Sequence, residues 1–408
     1  MKIISISWRN LWRHKLRSSV VMTAVFIGLA AGVFSNAFMY GMMAQRLEST
    51  IMSQVSNFQV HNRLFVEEDE YGFLINDPDK IIRFLKDDHK IENITPRLLA
   101  SGMISSPTSA SGVSIRAVDP EREKSVTNLH ERIIEGEYLP GSVRNPVYIG
   151  EKLADELSVS VRSRVVITFQ DPEGNITGGA FRVAGIYRTE NSGFDMMNIF
   201  VSKNDFVNIS SYSIGDTHEI AVRLDDDSKT ADITGLINSL FEDEDILARP
   251  WQKLQPELGM MSEMLNQIMY VLIIIILFAL GFTITNTMLM AVMERYHEFG
   301  VLLAVGMKKS RVFFMVMAEA VMLSMTGAAA GMAVSFWTIH FTGRKGIDIS
   351  AVGDGLSSLG FSAVIYPSIE FSFYIGVTLL VILTALLSAV YPAVKALRLK
   401  PAEAIRIQ

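Results

Sequence analysis

Cysteine is absent from all 408 residues, so no disulfide holds any part of the fold and no thiol chemistry is available. That absence does not choose a compartment. No Gly-x-x-x-x-Gly-Lys-Ser/Thr loop occurs; the nearest approach, Gly300 to Gly306 followed by Met307, lacks both the spacing and the lysine needed to cradle nucleotide phosphates. The seven histidines have no metal-ligand spacing. Asp225-Asp226-Asp227 and Glu242-Asp243-Glu244-Asp245 lack the glycine-kinked alternation of a calcium loop and read as solvated acidic faces. Nothing marks a Ser-His-Asp triad. The expectation is a chain without catalytic residues, metal site or bound cofactor.

Charge is scarce in four long stretches. Ser18 to Ala44, Met264 to Met293 and Phe371 to Val394 are uncharged, and Val312 to Gly343 is interrupted only by Glu319. Each exceeds the roughly 20 residues a helix needs to cross about 30 Å of hydrocarbon. The fold class expected is a membrane protein with four transmembrane helices and a large extracytoplasmic α+β domain between the first two. By position, 1–17 is a leader, 18–44 the first span, 45–263 the domain, 264–293 the second span and 294–311 a short loop. The third span (312–343), a loop (344–370), the fourth span (371–394) and a tail (395–408) follow.

Between Arg46 and Glu263 there are 22 Lys and Arg against 36 Asp and Glu, a net −14, so a chain at −6 carries +8 elsewhere. Those positive charges gather at the helix ends: Lys2, Arg9, Arg13, Lys15 and Arg17, then Arg295, Lys308, Lys309 and Arg311, then Lys395, Arg398, Lys400 and Arg406. Only Arg344 and Lys345 lie between the third and fourth spans. The positive-inside bias therefore puts both termini and the 294–311 loop in the cytoplasm and the acidic domain outside. No nucleic-acid partner is expected. Ser35-Asn36-Ala37 has the small-x-small form of a signal cleavage site, but the apolar run continues to Ala44, so an uncleaved anchor is expected. Ile4, Trp8, Leu11, Trp12 and Leu16 recur at helical spacing beside an Arg9, Arg13, Arg17 stripe, the pattern of a basic amphipathic helix on the inner membrane surface.

Within the domain, strands are expected at Asn57 to His61, Ile94 to Ile104 and Val113 to Val118, with a helix from Asp77-Pro78 through Lys86. Strand, helix, strand recurs as His218 to Leu224, Thr230 to Phe241 and Ile246 to Arg249. Arg164 to Gln170 and Gly179 to Tyr187 flank Asp-Pro-Glu-Gly-Asn, a hairpin composition. The reading is a split α/β subdomain, 45–118 with 215–263, carrying a β-rich insert at 119–214.

Within the spans, Gly28-x-x-x-Gly32 and Gly327-x-x-x-Gly331 allow close approach of helix backbones. Glu319 sits about 12 Å along its helix from Arg311, where a carboxylate requires a partner. A structural partner in the bundle is preferred to a proton relay, since no second buried acid or base accompanies it. The loop reads ERYHEFGVLLAVGMKKSR. Its Glu298 to Val305 segment can form a short helix with an apolar ridge of Phe299, Leu302 and Leu303, stopped by Gly306, fit to enter a groove on a soluble partner.

From Asn286 to Ala320 the chain resembles the second span, coupling helix and third span of the permease superfamily that includes lipoprotein-releasing, macrolide-exporter and FtsX-like transporters. Supporting likenesses are WRNLWRHKLRS at Trp8 to Ser18, WQKLQPEL before the second span and YPAVKALRLKPAEAIR at the end. The stretch VSIRAVDPEREKSVTNLHERIIEGEYL, Val113 to Leu139, is most similar to the lipoprotein-releasing branch. VYIGEKLADELSV, VVITF and FRVAGIY resemble the insert found across the superfamily.

The resemblance implies a bacterial inner-membrane permease that works as a pair, identical or mixed, with two copies of a separate cytoplasmic P-loop ATPase that binds ATP and magnesium. Glu294, Arg295, Glu298, Phe299, Gly300, Leu302, Leu303 and Gly306 would couple to that ATPase, Glu298 through a polar contact. The implied task is extraction of lipoproteins from the membrane to a periplasmic carrier. Efflux of amphiphiles or peptides, or FtsX-like signalling to a cell-wall hydrolase, are the alternatives. Phe34, Met39, Ile275 and Asn286 are expected to line a lateral path for lipid chains. Helices without proline over Met42 to Ser53 and Leu258 to Met269, with Gly259 the one weak point, would carry rigid-body motion to the outer domain.

Overall fold

The structure, a computed structural model, describes residues 15–68, 71–87, 89–352, 355–356 and 359–397. The amphipathic leader through Ile4, Trp8 and Trp12 and the closing segment past Leu397 lie outside them. In chain order the main helices are α1 (Lys15–Thr50), α2 (Pro78–Asp87), α3 (Pro120–Val126), α4 (Thr230–Leu240), α5 (Pro256–Glu294), α6 (Tyr296–Ala304), α7 (Lys309–Lys345) and α8 (Phe371–Leu397). Four of these, α1, α5, α7 and α8, are long and apolar enough to cross a membrane. Each overruns its uncharged stretch, because loss of charge marks the edge of hydrocarbon whereas helix ends are set by caps and glycine.

The chain divides into two units. One holds residues 1–42, 263–348 and 364–408, the other residues 43–262 and 349–363.

The first unit is a ring of four helices joined through small residues. A Cβ added at Gly327 or Gly331 of α7 would stand 2.6 Å from the Met22 carbonyl oxygen or 2.8 Å from that of Phe26, so α7 lies against the α1 backbone. Gly28 and Gly32 of α1 meet Leu280 and Ile276 of α5. Gly281 faces Ser388 and Thr384 of α8, and the Thr285 hydroxyl donates to the Ser388 carbonyl at 3.0 Å. Thr378 of α8 reaches Met332 Sδ of α7 at 3.4 Å, closing the ring. Both glycine motifs therefore pack helices of this chain together. In a bilayer, where apolar surface gains little from leaving lipid, such close backbone contact is the main source of cohesion.

The second unit contains strands β1 (Phe58–Asn62), β2 (Ile94–Ser105), β3 (Ala110–Val118), β4 (Ile133–Gly136), β5 (Pro146–Gly150), β6 (Arg164–Gln170), β7 (Ile176–Tyr187), β8 (Asn198–Ser202), β9 (Glu219–Val222) and β10 (Ile246–Pro250). They hydrogen-bond in the order β10-β1-β9-β2-β3-β8-β5-β7-β4, with β6 pairing β2 and β7. The repeated strand, helix, strand units fold around one core, with Phe58, Val60 and Ile220 under Ile81 and Leu85 of α2 and Ile237 of α4.

The expected subdomain boundary needs correction. β2 pairs β9 through Ile94–Arg97 but pairs β3 from Leu98 onward. β3 in turn runs parallel to β8, and Leu98, Ile104 and Ile115 share a core with Val147, Phe181 and Phe206. The boundary thus falls inside β2, and 110–118 belongs with the insert. The helical continuity expected over Met42 to Ser53 is also modified. After Thr50 the chain becomes a π-helix, Ile51–Val55, which ends at Ser56 with φ of 63°. Asn128 N–H donates to the Met52 carbonyl at 3.0 Å and Arg116 Nη1 to that of Gln54 at 3.0 Å.

Where β1, β2, β9 and α3 meet, a charged network is sealed from solvent. Arg97, fully buried, gives Nε to Glu123 Oε2 at 3.0 Å and Nη1 to Glu219 Oε1 at 2.5 Å, and Glu219 Oε2 lies 3.4 Å from His61 Nε2. Burial alone would push the Glu219 carboxyl up, but Arg97 and His61 hold it well below the usual carboxylate range. Nearby, His218 accepts from Leu99 N–H at 3.1 Å and donates Nε2–H to the Tyr71 carbonyl at 2.9 Å, the neutral tautomer in both contacts.

Burial lowers His218 to about 4. The unfolded chain gains a proton below about pH 6.5 while the fold refuses it, so this contribution is complete above that pH and declines as pH falls toward 4. Its size is up to about 3 kcal/mol. Chemical denaturation of wild type and His218→Gln across pH 7 to 4 should show the steeper loss in wild type; parallel slopes would contradict it.

Candidate coupling site

α6 forms between two abrupt breaks. Arg295 leaves helical geometry after α5, and Gly306 takes φ of 94°, a left-handed conformation open to glycine at little cost. The Gly306 and Met307 N–H groups close back onto the Leu303 and Leu302 carbonyls at 3.1 and 3.0 Å. This satisfies carbonyls that the helix end would leave unpaired, and α7 starts three residues later.

Arg295 organises the segment. Its Nη1 lies 3.0 Å from Glu319 Oε2 on α7, its Nε lies 2.9 Å from Glu298 Oε2 on α6, and its guanidinium stands 5.0 Å over the Phe299 ring. One cation thereby ties the end of α5, the short helix α6 and the third long helix. Arg295 is 9 % exposed, so the pair with Glu319 is only weakly screened and the guanidinium fork fixes its geometry. Glu319 has the structural partner its position required.

The ridge of α6 faces the other way from expectation. Phe299 is 1 % exposed and belongs to the bundle core, with Leu302 and Leu303 packed against it. Gly300 is buried as well. The helix turns outward His297, Val301 and Ala304, and Val305 at its C-terminal end is 83 % exposed. The physical reason lies in the bundle end, which offers α6 a larger apolar surface than the sequence alone discloses, so the bulkiest side chains are spent there. Glu298, expected to reach a partner, is engaged by Arg295 within the chain.

The four residues expected to share a lipid path are not brought together. Phe34 packs against the bundle core and Met39 is half-buried, while Ile275 stands out from α5. Asn286 is exposed in a separate groove with Lys15, Val20 and Phe282, about 16 Å farther along α5 than Ile275. The bundle does hold a half-open cavity of about 430 Å³ between α1, α5 and the start of α8, lined by Asn36, Tyr40, Ile273, Glu370, Phe373 and Val377 among others. Tyr40 and Glu370 were not among the residues expected at a site. The cavity's signals were a lone asparagine inside an uncharged run and a glutamate immediately before another.

Four long apolar helices, a large domain inserted after the first and a short helix pinned between the second and third define the architecture of an ABC transporter permease. Residues 18–240 match the MacB-like periplasmic core domain and residues 270–401 the FtsX-like permease C-terminal region. The chain belongs to the MacB/FtsX-like family of ABC transporter permeases.

Similar proteins include an uncharacterized ABC transporter permease, YvrN, of Bacillus subtilis, 23% identical with 99% of each chain covered. The lipoprotein-releasing system transmembrane protein LolC of Neisseria meningitidis is 19% identical over 97% of this chain and 96% of its own. The macrolide export ATP-binding/permease protein MacB of Agrobacterium fabrum is 22% identical over 79% of this chain and 50% of its own. The chain thus spans about half the length of that macrolide export protein.

Proposed function

We propose that this chain is the membrane subunit of an inner-membrane ABC transporter, its termini cytoplasmic, that draws acylated lipoproteins from the outer leaflet and passes them to a soluble carrier outside. It pairs with a second permease, and each pair binds two copies of a separate P-loop ATPase, where ATP and magnesium are held. The observation that supports this is the attachment of α6 to α7 through Arg295 and Glu319: a push on the outward face of α6 is delivered to the bundle. Motion of the bundle then closes the space that holds the cargo's apolar part.

The energetics favour a route that never exposes acyl chains to water. Each buried CH₂ contributes about 0.8 kcal/mol, so transfer of long chains through solvent would be prohibitive, while passage from bilayer to apolar groove to carrier exchanges one apolar surface for another. Efflux of a smaller amphiphile is the second reading, favoured by the 430 Å³ cavity, which is within the range of small-ligand sites. In vesicles containing the chain and its ATPase, ATP should release an acylated lipoprotein to a soluble acceptor and leave a deacylated version untouched. Release of the two at equal rates would contradict the proposal.

A further inference from the structure

Asn36 lies within the apolar run of α1 and is 2 % exposed. Its amide nitrogen donates to the Gly32 carbonyl at 2.8 Å, whereas its Oδ1 has no hydrogen-bond partner among the described residues. A buried acceptor left unmade costs about 1–3 kcal/mol, which calls for an explanation. The atom belongs to a residue lining the 430 Å³ cavity, whose other polar groups include the Glu370 carboxylate and the Tyr40 hydroxyl beside it. The Ser372 hydroxyl donates to Glu370 Oε2 at 3.0 Å and the Tyr40 hydroxyl also hydrogen-bonds this carboxylate, which with about four lone-pair sites keeps acceptor capacity for a ligand. The remaining wall is apolar, with Ile273, Phe373 and Val377 among its residues.

The polar groups are unequal in kind. An unpartnered amide oxygen and a carboxylate are acceptors, and no Lys or Arg lines the cavity. A head group that donates hydrogen bonds and carries positive charge satisfies both, while its alkyl part meets the apolar wall. We propose that this cavity binds the protonated amine of an acyl-chain amphiphile, with Asn36 Oδ1 and the Glu370 carboxylate as its acceptors. This inference rests on the reading of the chain as one that handles acylated amphiphiles. Two sources carry that chemistry: the free N-terminal amine of a diacylated lipopeptide and the ethanolamine head of a phospholipid.

The test uses the full chain in phosphatidylcholine nanodiscs without ATPase. Binding is measured for a dipalmitoyl lipopeptide with a free amine and for its N-acetylated twin. The free amine should bind about tenfold more tightly, as expected for hydrogen bonds to a charged group. Glu370→Gln, at an exposed position, and Asn36→Leu should each reduce that ratio to within about twofold, and neither should change binding of the acetylated twin by more than that. Equal binding of the two lipopeptides by wild type overturns the inference, as does a ratio unchanged in both variants.

Adding phosphatidylethanolamine identifies the source. Loss of the amine's advantage assigns the site to the phospholipid head, and its persistence assigns the site to the lipopeptide; both outcomes support an amine site. Failure of ATP-driven release with the amine preference intact would sink the transport reading alone. Release without any amine preference would sink this inference alone.

Discussion

Glu319→Ala is expected to lower the thermal stability of the membrane unit and to cut ATP-driven release at least about tenfold, a loss of roughly 1.4 kcal/mol or more in coupling. The argument starts from the pair itself. Removing one member of a buried ion pair costs about 3–5 kcal/mol because the other charge is stranded. Here the cost falls toward the lower end, since Arg295 keeps its 2.9 Å contact to Glu298.

Function should suffer as well as stability. Without Glu319, Arg295 no longer ties α6 to α7, and the hold of α6 on the bundle shifts toward the apolar packing of Phe299, Leu302 and Leu303, which is non-directional and permits sliding. Glu319→Gln, which retains an acceptor, should lie between wild type and alanine. Exchanging the charges, Arg295→Glu with Glu319→Arg, should recover part of the release lost in either single variant. Wild-type melting and release in Glu319→Ala would show the pair to be incidental.

The features legible from residue order were those a local pattern determines. Loss of charge marked four spans, Gly306 marked the end of α6, and a carboxylate in an apolar helix at Glu319 demanded a partner. The partner's identity was not legible, because Arg295 is 24 residues away in sequence and only the turn between α5 and α6 brings it to α7. The direction of the α6 ridge was hidden for a related reason. Phe299, Leu302 and Leu303 define an apolar face in any helix, but whether that face meets a soluble protein or the chain's own bundle depends on the core surface that the long helices present to it.

The same limit explains β3. Its alternation announces a strand, yet its membership is decided by β8, over 80 residues later, and by a β2 long enough to serve both cores. Asn36 is the converse case. Its polarity was visible in the sequence, but the empty acceptor and the cavity beside it exist only once α5 and the start of α8 are in place.

On the proposed function, the ATPase pushes on the outward face of α6. The chain has no cysteine, so single cysteines report cleanly. Val305→Cys and Val301→Cys should each crosslink through a short reagent to the ATPase subunit, whereas Leu303→Cys, packed on the bundle core, should not. In parallel, Val305→Asp should reduce recovery of ATPase with the purified permease by at least about tenfold, the size expected when a charge is forced into an apolar contact. Crosslinking at Leu303 in place of Val305, with undiminished ATPase recovery in Val305→Asp, would place the ATPase contact elsewhere than the outward face of α6.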